Sequence, residues 1–184
     1  MRIIAGRFGG RRLAQVGQGD AAAHLRPTPD RVREALFSSL SSNAYGDRIT
    51  DARVLDLFAG TGALGLEALS RGAASVTFVE NGRVAQKLLA KNIQLLGVKA
   101  QTKLLRRDVL RRGENTDAPY NLVFLDPPYK QELGARALAL PGWIAAGALI
   151  VWEEAAPQDP PPGFERLDHR RYGDTHITVM EALG

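Results

Sequence analysis

The stretch Arg53-Val-Leu-Asp-Leu-Phe-Ala-Gly60-Thr-Gly-Ala-Leu-Gly65-Leu-Glu-Ala-Leu-Ser70 decides the fold. Arg53–Phe58 is a short apolar run suited to a buried strand, and Ala63–Ser70 reads as a helix. Between them Gly60, Gly62 and Gly65 give G-x-G-x-x-G in strand–loop–helix context. The same alternation continues outward. Strands are expected at Ser75–Glu80, Thr102–Arg106, Asn121–Leu125 and Ala148–Trp152, with helices at Arg83–Leu96 and Leu133–Leu140. Asn121–Leu125 is nearly all apolar, as a central parallel strand should be. Four prolines between Pro157 and Pro162 force a loop. Phe164–Arg170 and His176–Met180 then read as an antiparallel pair around Tyr172-Gly-Asp-Thr175. Upstream, Arg2–Gly6 and Arg11–Val16 are expected as strands of a hairpin turning at Gly9-Gly10, and Asp30 as the N-cap of a helix reaching Ser41. Repeated strand–helix units imply an open α/β sheet that binds ligands at the carboxyl ends of its strands.

Acidic residues sit at those ends. Glu80 closes the second strand, 20 residues after Gly60, where a carboxylate can accept hydrogen bonds from a ribose diol. Asp108 follows the third strand, placed to read an adenine amino group. Asp56 lies at the mouth of the first strand. A carboxylate there repels a pyrophosphate and attracts an ammonium or sulfonium. The set Asp56, Gly60, Gly62, Glu80 and Asp108 therefore suits S-adenosylmethionine better than a nicotinamide dinucleotide.

The fourth strand ends in Asp126-Pro127-Pro128-Tyr129. The prolines stop the strand and stiffen the turn. The Asp126 carboxylate and Pro127 carbonyl are left as acceptors, and Tyr129 supplies a ring. That trio suits an exocyclic amine on a flat base. Two acceptors on the amine's hydrogens free its conjugated lone pair, and stacking on Tyr129 is worth ~1–3 kcal/mol per base.

Composition narrows the class. The chain has 184 residues, 45% hydrophobic and 24% charged, and no cysteine. Disulfide scaffolds, thiol catalysis and Cys-ligated zinc are excluded. No segment has the length and apolarity of a membrane span, and no secretory leader is visible, so a cytoplasmic protein is expected. The net charge is +4, and residues 1–48 carry all of it, with eight Arg against four acids. An Arg-rich arm on a neutral body matches a nucleic-acid footprint, and a solvated basic terminus equally well.

Together these residues resemble the class I S-adenosylmethionine-dependent methyltransferases that modify exocyclic or amide nitrogen. The nearer resemblance is to the RsmD family, bacterial 16S ribosomal RNA guanine-N2 methyltransferases. It spans nearly the whole chain: Arg2–Arg7 with Gly10–Leu13, Arg26-Pro-Thr28 with Asp30–Glu34, Leu57–Leu69, Asp126–Tyr129 and Tyr172–Thr175. The resemblance implies a Rossmann-like, seven-stranded, mostly parallel sheet with an antiparallel last strand. It divides the chain into a basic RNA-binding extension, residues 1–25, and a methyltransferase domain, residues 26–184. It puts Thr28 over the methionine end of the cofactor. It sets Arg2, Arg7, Arg11 and Arg12 on phosphates, and Arg31 and Arg33 nearer the base. The implied substrate is 16S rRNA within an assembling small ribosomal subunit, and a monomer is expected. Asp-Pro-Pro-Tyr also serves adenine-N6 and glutamine-N5 methyltransferases. Those substrates stay open on the residues alone, as do a non-catalytic RNA-binding module and a nucleotide-linked oxidoreductase.

Other features suggest no site. Arg83, Lys87 and Lys91 make a stripe along one helix face and read as solvated. Arg106-Arg107 and Arg111-Arg112 are explained as well by exposure as by RNA. His24, His169 and His176 show no metal-ligand spacing, and no metal is expected. Trp143 and Trp152 are expected to pack the core or its rim.

Overall fold

The computed structural model describes residues 1–15, 28–42, 45–128 and 133–184. Seven strands form one sheet: β1 Arg53–Leu57, β2 Ser75–Val79, β3 Thr102–Leu105, β4 Tyr120–Leu125, β5 Ile144–Glu154, β6 Phe164–Tyr172 and β7 Thr175–Ala182. Their order is β3-β2-β1-β4-β5-β7-β6. β1 to β5 are parallel, and β7 is antiparallel to both β5 and β6. β7 is thus inserted against the direction of the rest, as expected. The chain winds outward through β2 and β3, then returns to place β4 beside β1. Ligands of such sheets sit at this reversal.

The helices are α1 Asp30–Leu40, α2 Ala63–Ser70, α3 Arg83–Leu96 and α4 Leu133–Leu138. α1, α2 and α3 cover one face through Leu36, Phe37, Leu66, Leu89 and Ile93. α4 covers the other with Ala137 and Leu138, over Leu125, Ile150 and Trp152. β5 begins at Ile144, earlier than the expected Ala148, because Gly147 (φ +72) lets extra residues bulge between the pairs Tyr120–Ile144 and Leu122–Leu149. Pro29, not Asp30, caps α1, and the Asp30 carboxylate instead takes Arg33 at 2.6 Å and Arg2 at 3.3 Å.

The N-terminal segment is less regular than two strands. One bridge, Arg2 to Arg12, joins its arms, with a 3-10 turn at Gly6–Phe8. It is seated on the helices. The buried Glu67 of α2 accepts the backbone N–H groups of Ile4 (2.7 Å) and Ala5 (3.0 Å) and the Arg71 side chain (2.8 Å). Asn92 of α3 accepts from Ala14 N–H at 2.6 Å. Gly6 (φ +79) passes so close to α2 that a Cβ there would lie 1.9 Å from the Ser70 carbonyl oxygen. Ile3 and Leu13 join the core.

Two arginines expected at the surface are interior. Arg33 is fully buried, donating to the Arg2 carbonyl at 2.7 Å and to Asp30, with Glu67 3.9 Å away. It fastens the N-terminal segment to α1 and has no face to offer RNA. Arg112 is 1% exposed. It donates to the carbonyls of Val109 and Ala137 and lies 4.8 Å over the Trp143 ring. Trp143 in turn stacks on Tyr120 at 6.0 Å. Both tryptophans are buried, as expected.

Candidate active site

The register of the parallel strands aligns Leu57, Val79, Leu105, Leu125 and Trp152 across the sheet. One residue further on come Glu80, Asp126 and Glu153, and Asp56 precedes Leu57 by one. Alternation along a strand sends these four side chains to one face, the face covered by α1 and α2. Asp108 lies beyond the end of β3. In sheet order the carboxyl edge therefore reads Asp108, Glu80, Asp56, Asp126, Glu153. This row of acids has no counterion: no Lys, Arg or His makes an ion pair with any of the five among the described residues.

The glycine loop is tied to two of them. Glu80 accepts from Gly60 N–H at 2.8 Å on one oxygen and from Gly82 N–H at 2.6 Å on the other. Each oxygen keeps a second lone pair. Asp56 accepts from Gly65 N–H at 3.0 Å and is only 3% exposed. Burial pushes its carboxyl up to about 8, and the nearby Glu80 adds to the rise. Asp56 thus braces the loop from beneath, so any attraction it exerts on a cationic ligand acts across the loop. Phe58 takes the left-handed conformation (φ +60) where the chain leaves β1 for the loop. A non-glycine residue held there is the kind of backbone strain that gathers at functional sites. Gly62 takes a left-handed backbone (φ +78) that favours glycine, and a Cβ there would push on the Leu89 side chain.

Asp108 accepts from Leu110 N–H at 2.7 Å, capping a short 3-10 turn, and remains exposed. Among the described residues nothing donates to the Asp126 carboxylate. Burial holds the Asp126 pKa well above the usual carboxylate range, and Glu153, Asp56 and Glu154 add to the rise. Pro127 is buried behind it. Tyr129 lies outside the described residues. Thr28 is buried and donates to Glu153 at 2.8 Å, so it meets the end of β5.

Glu153 and Glu67 were not singled out in the sequence, although signals for both exist. Glu153 follows the apolar run of β5 as Asp126 follows that of β4, and Glu67 is the one charged residue in α2. Of the six expected RNA-contacting arginines, Arg2, Arg7, Arg11, Arg12 and Arg31 are exposed. Arg7 and Arg11 flank the Phe8 ring at 4.6 and 5.5 Å. Arg83, Lys87 and Lys91 line an open hollow of about 400 Å³ with Arg106. His169 and His176 meet across β6 and β7 at 2.8 Å. No group of three or more potential ligands gathers to hold a metal ion among the described residues.

Known proteins are similar to this chain over most of its length. The family model described as "Conserved hypothetical protein 95" matches residues 1–181. The chain is 40% identical over 156 residues to ribosomal RNA small subunit methyltransferase D of Escherichia coli, covering 83% of this chain and 74% of that one. The chain belongs to the RsmD family. The Haemophilus influenzae protein of the same name is 38% identical over 160 residues, 83% of this chain and 78% of that one. The solved structure of Escherichia coli yhhF superposes with a TM-score of 0.82 at 32% identity, covering 100% of this chain and 98% of that one. This RsmD-family chain is thus a methyltransferase in fold and kinship, and a methyltransferase works with a methyl donor. No helix among the described residues is long and apolar enough to cross a membrane.

Proposed function

We propose that this protein methylates the exocyclic N2 of one guanine in 16S ribosomal RNA, using S-adenosylmethionine. The observation that carries this reading is Asp126: a carboxylate without a donor among the described residues, at the end of the central strand, beside the glycine loop. The names of the relatives, methyltransferases of small-subunit ribosomal RNA, supply the substrate class.

The donor set fits this cofactor. A pyrophosphate would meet a row of uncompensated acids, whereas a sulfonium and an ammonium are attracted to it. The free lone pairs on Glu80 suit the ribose hydroxyls, Asp108 suits the adenine amino group, and Gly60 and Gly62 keep side chains off the loop. Thr28 would close the methionine end from the β5 side. When bound, the cofactor supplies an electrophilic methyl group with its own thioether leaving group. The protein therefore contributes alignment and charge more than covalent chemistry.

Asp126 and the Pro127 carbonyl accept the two hydrogens of the amine, turning its lone pair out of conjugation and toward the methyl carbon. As the new bond forms, the nitrogen must shed a proton, and Asp126 is the base in reach. The high proton affinity that burial gives it suits that task. Tyr129, by its place in the motif, would stack on the base. A base inside a duplex must first be turned out to reach this edge. Arg2, Arg7, Arg11, Arg12 and Arg31 would hold the flanking phosphates, and the RNA would be met within an assembling small subunit by a monomer in the cytoplasm.

Nucleoside mass spectrometry of 16S rRNA tests this. RNA from a strain lacking the gene should be short of N2-methylguanosine, and purified protein with S-adenosylmethionine should restore it. Restoration of N6-methyladenosine would move the reading to adenine, and no change in any nucleoside would remove rRNA as substrate.

A further inference from the structure

Glu153 is the acid at this edge that the reading above leaves unused. It is 6% exposed, and one oxygen accepts from Thr28. No cation and no second donor reaches its carboxylate among the described residues. A buried carboxylate is costly unless it is paired, and a lone hydroxyl offsets little of that cost. The cost is increased by its neighbour: Glu153 follows Trp152 as Asp126 follows Leu125, one strand over. Adjacent strands lie about 4.8 Å apart, so the two carboxylates stand side by side. Two carboxyl groups side by side with no cation between them among the described residues point to a ligand with two adjacent donors.

Guanine has that edge. Its N1–H and its N2 amine are donors on neighbouring atoms. Adenine presents its amine beside N1, an acceptor, whose lone pair would face the second carboxylate. We propose that Glu153 selects guanine: its free oxygen accepts N1–H while Asp126 and the Pro127 carbonyl hold the N2 amine. Thr28 positions it by occupying the other oxygen. This inference rests on the guanine-N2 reading and extends it, since the Asp-Pro-Pro-Tyr turn alone fits either purine.

2-Aminopurine separates the two carboxylates. It keeps the N2 amine and replaces N1–H by a bare acceptor. RNA carrying guanine or 2-aminopurine at the methylated position is assayed with labelled S-adenosylmethionine. The wild-type protein should prefer guanine by roughly 100-fold or more in kcat/KM, as sites built around a hydrogen bond reject analogues that lack it. Glu153→Gln offers an amide that can donate to N1, so the preference should shrink to less than about 10-fold with the affinity for S-adenosylhomocysteine unchanged. Thr28→Val should weaken the preference less. Equal wild-type rates on the two bases would overturn the proposal without any variant having to fold. So would a Glu153→Gln protein that loses both rates by the same factor. Failure of the underlying reading looks different: the wild-type protein would then methylate no guanine at all.

Discussion

In the proposed reaction Asp126 has to be ionised to take a proton from the amine, yet burial and the neighbouring acids hold the proton on it. Only the fraction of protein with ionised Asp126 is competent, so kcat/KM should rise with pH along an acid limb centred well above the ordinary carboxylate range. An activity already flat from pH 5 upward would remove Asp126 as the base. Asp126→Ala should lower transfer by about 10³-fold, within the range of a lost general base, while calorimetry finds cofactor affinity little changed. Asp126→Asn keeps an acceptor but cannot take the proton, and should fall almost as far. At this scale the site acids were largely legible, because a strand-end acid next to a glycine loop or a proline turn has few structural uses. Arg33 and Arg112 were not legible. Nothing in their flanking residues tells a surface cation from a buried one, and each donates to a backbone carbonyl from a distant part of the chain, Arg33 to Arg2 and Arg112 to Ala137.

The elements were read well where one physical signal dominates. The apolar run of β4, the glycine stop after α3 and the proline loop before β6 each fix a boundary locally. β5 was cut short because its first residues, Ile144-Ala-Ala-Gly147, sit on a bulge whose register comes from Tyr120. The N-terminal segment was recognised as a turn-back, but its attachment to α2 was invisible, being made by backbone N–H groups on one buried side chain. That attachment gives a prediction. Glu67→Ala removes the acceptor for Ile4 and Ala5, strips Arg71 of its carboxylate partner and leaves the buried Arg33 with Asp30 alone. Breaking such a buried network costs about 3–5 kcal/mol. Denaturant unfolding should show that loss, and trypsin should then cut at Arg7, Arg11 or Arg12 before the rest of the chain. RNA affinity should fall with it, whereas S-adenosylhomocysteine still binds. A variant whose N-terminal segment stays protease-resistant would show that the segment is held by Ile3 and Leu13 packing alone.

For the whole molecule, an edge of carboxyl groups with raised proton affinity makes stability dependent on pH. Asp56 is pushed up to about 8, and Asp126, Glu153 and Glu154 are raised as well. A carboxyl with a higher pKa in the folded than the unfolded state binds its proton more tightly when folded. Its contribution is full below the unfolded value near 4 and is lost as pH rises toward the folded value. Asp30, Asp47, Asp117 and Asp168 are lowered, so their contribution is lost on the other side, as pH falls below about 4. His176 is lowered too, so its contribution is likewise lost as pH falls below the ordinary imidazole range. Thermal melts of the ligand-free protein should therefore peak near pH 5 and decline toward pH 8. In the proposed site S-adenosylhomocysteine would bring an ammonium to this edge and favour the ionised acids. It should raise Tm more at pH 8 than at pH 5, and its binding near pH 7 should release protons, seen as a dependence of calorimetric heat on the buffer's ionisation enthalpy. A ligand-free protein more stable at pH 8 than at pH 5 would mean that the acids are compensated in solution, and the edge would then lack the unspent charge on which cofactor and base recognition both depend.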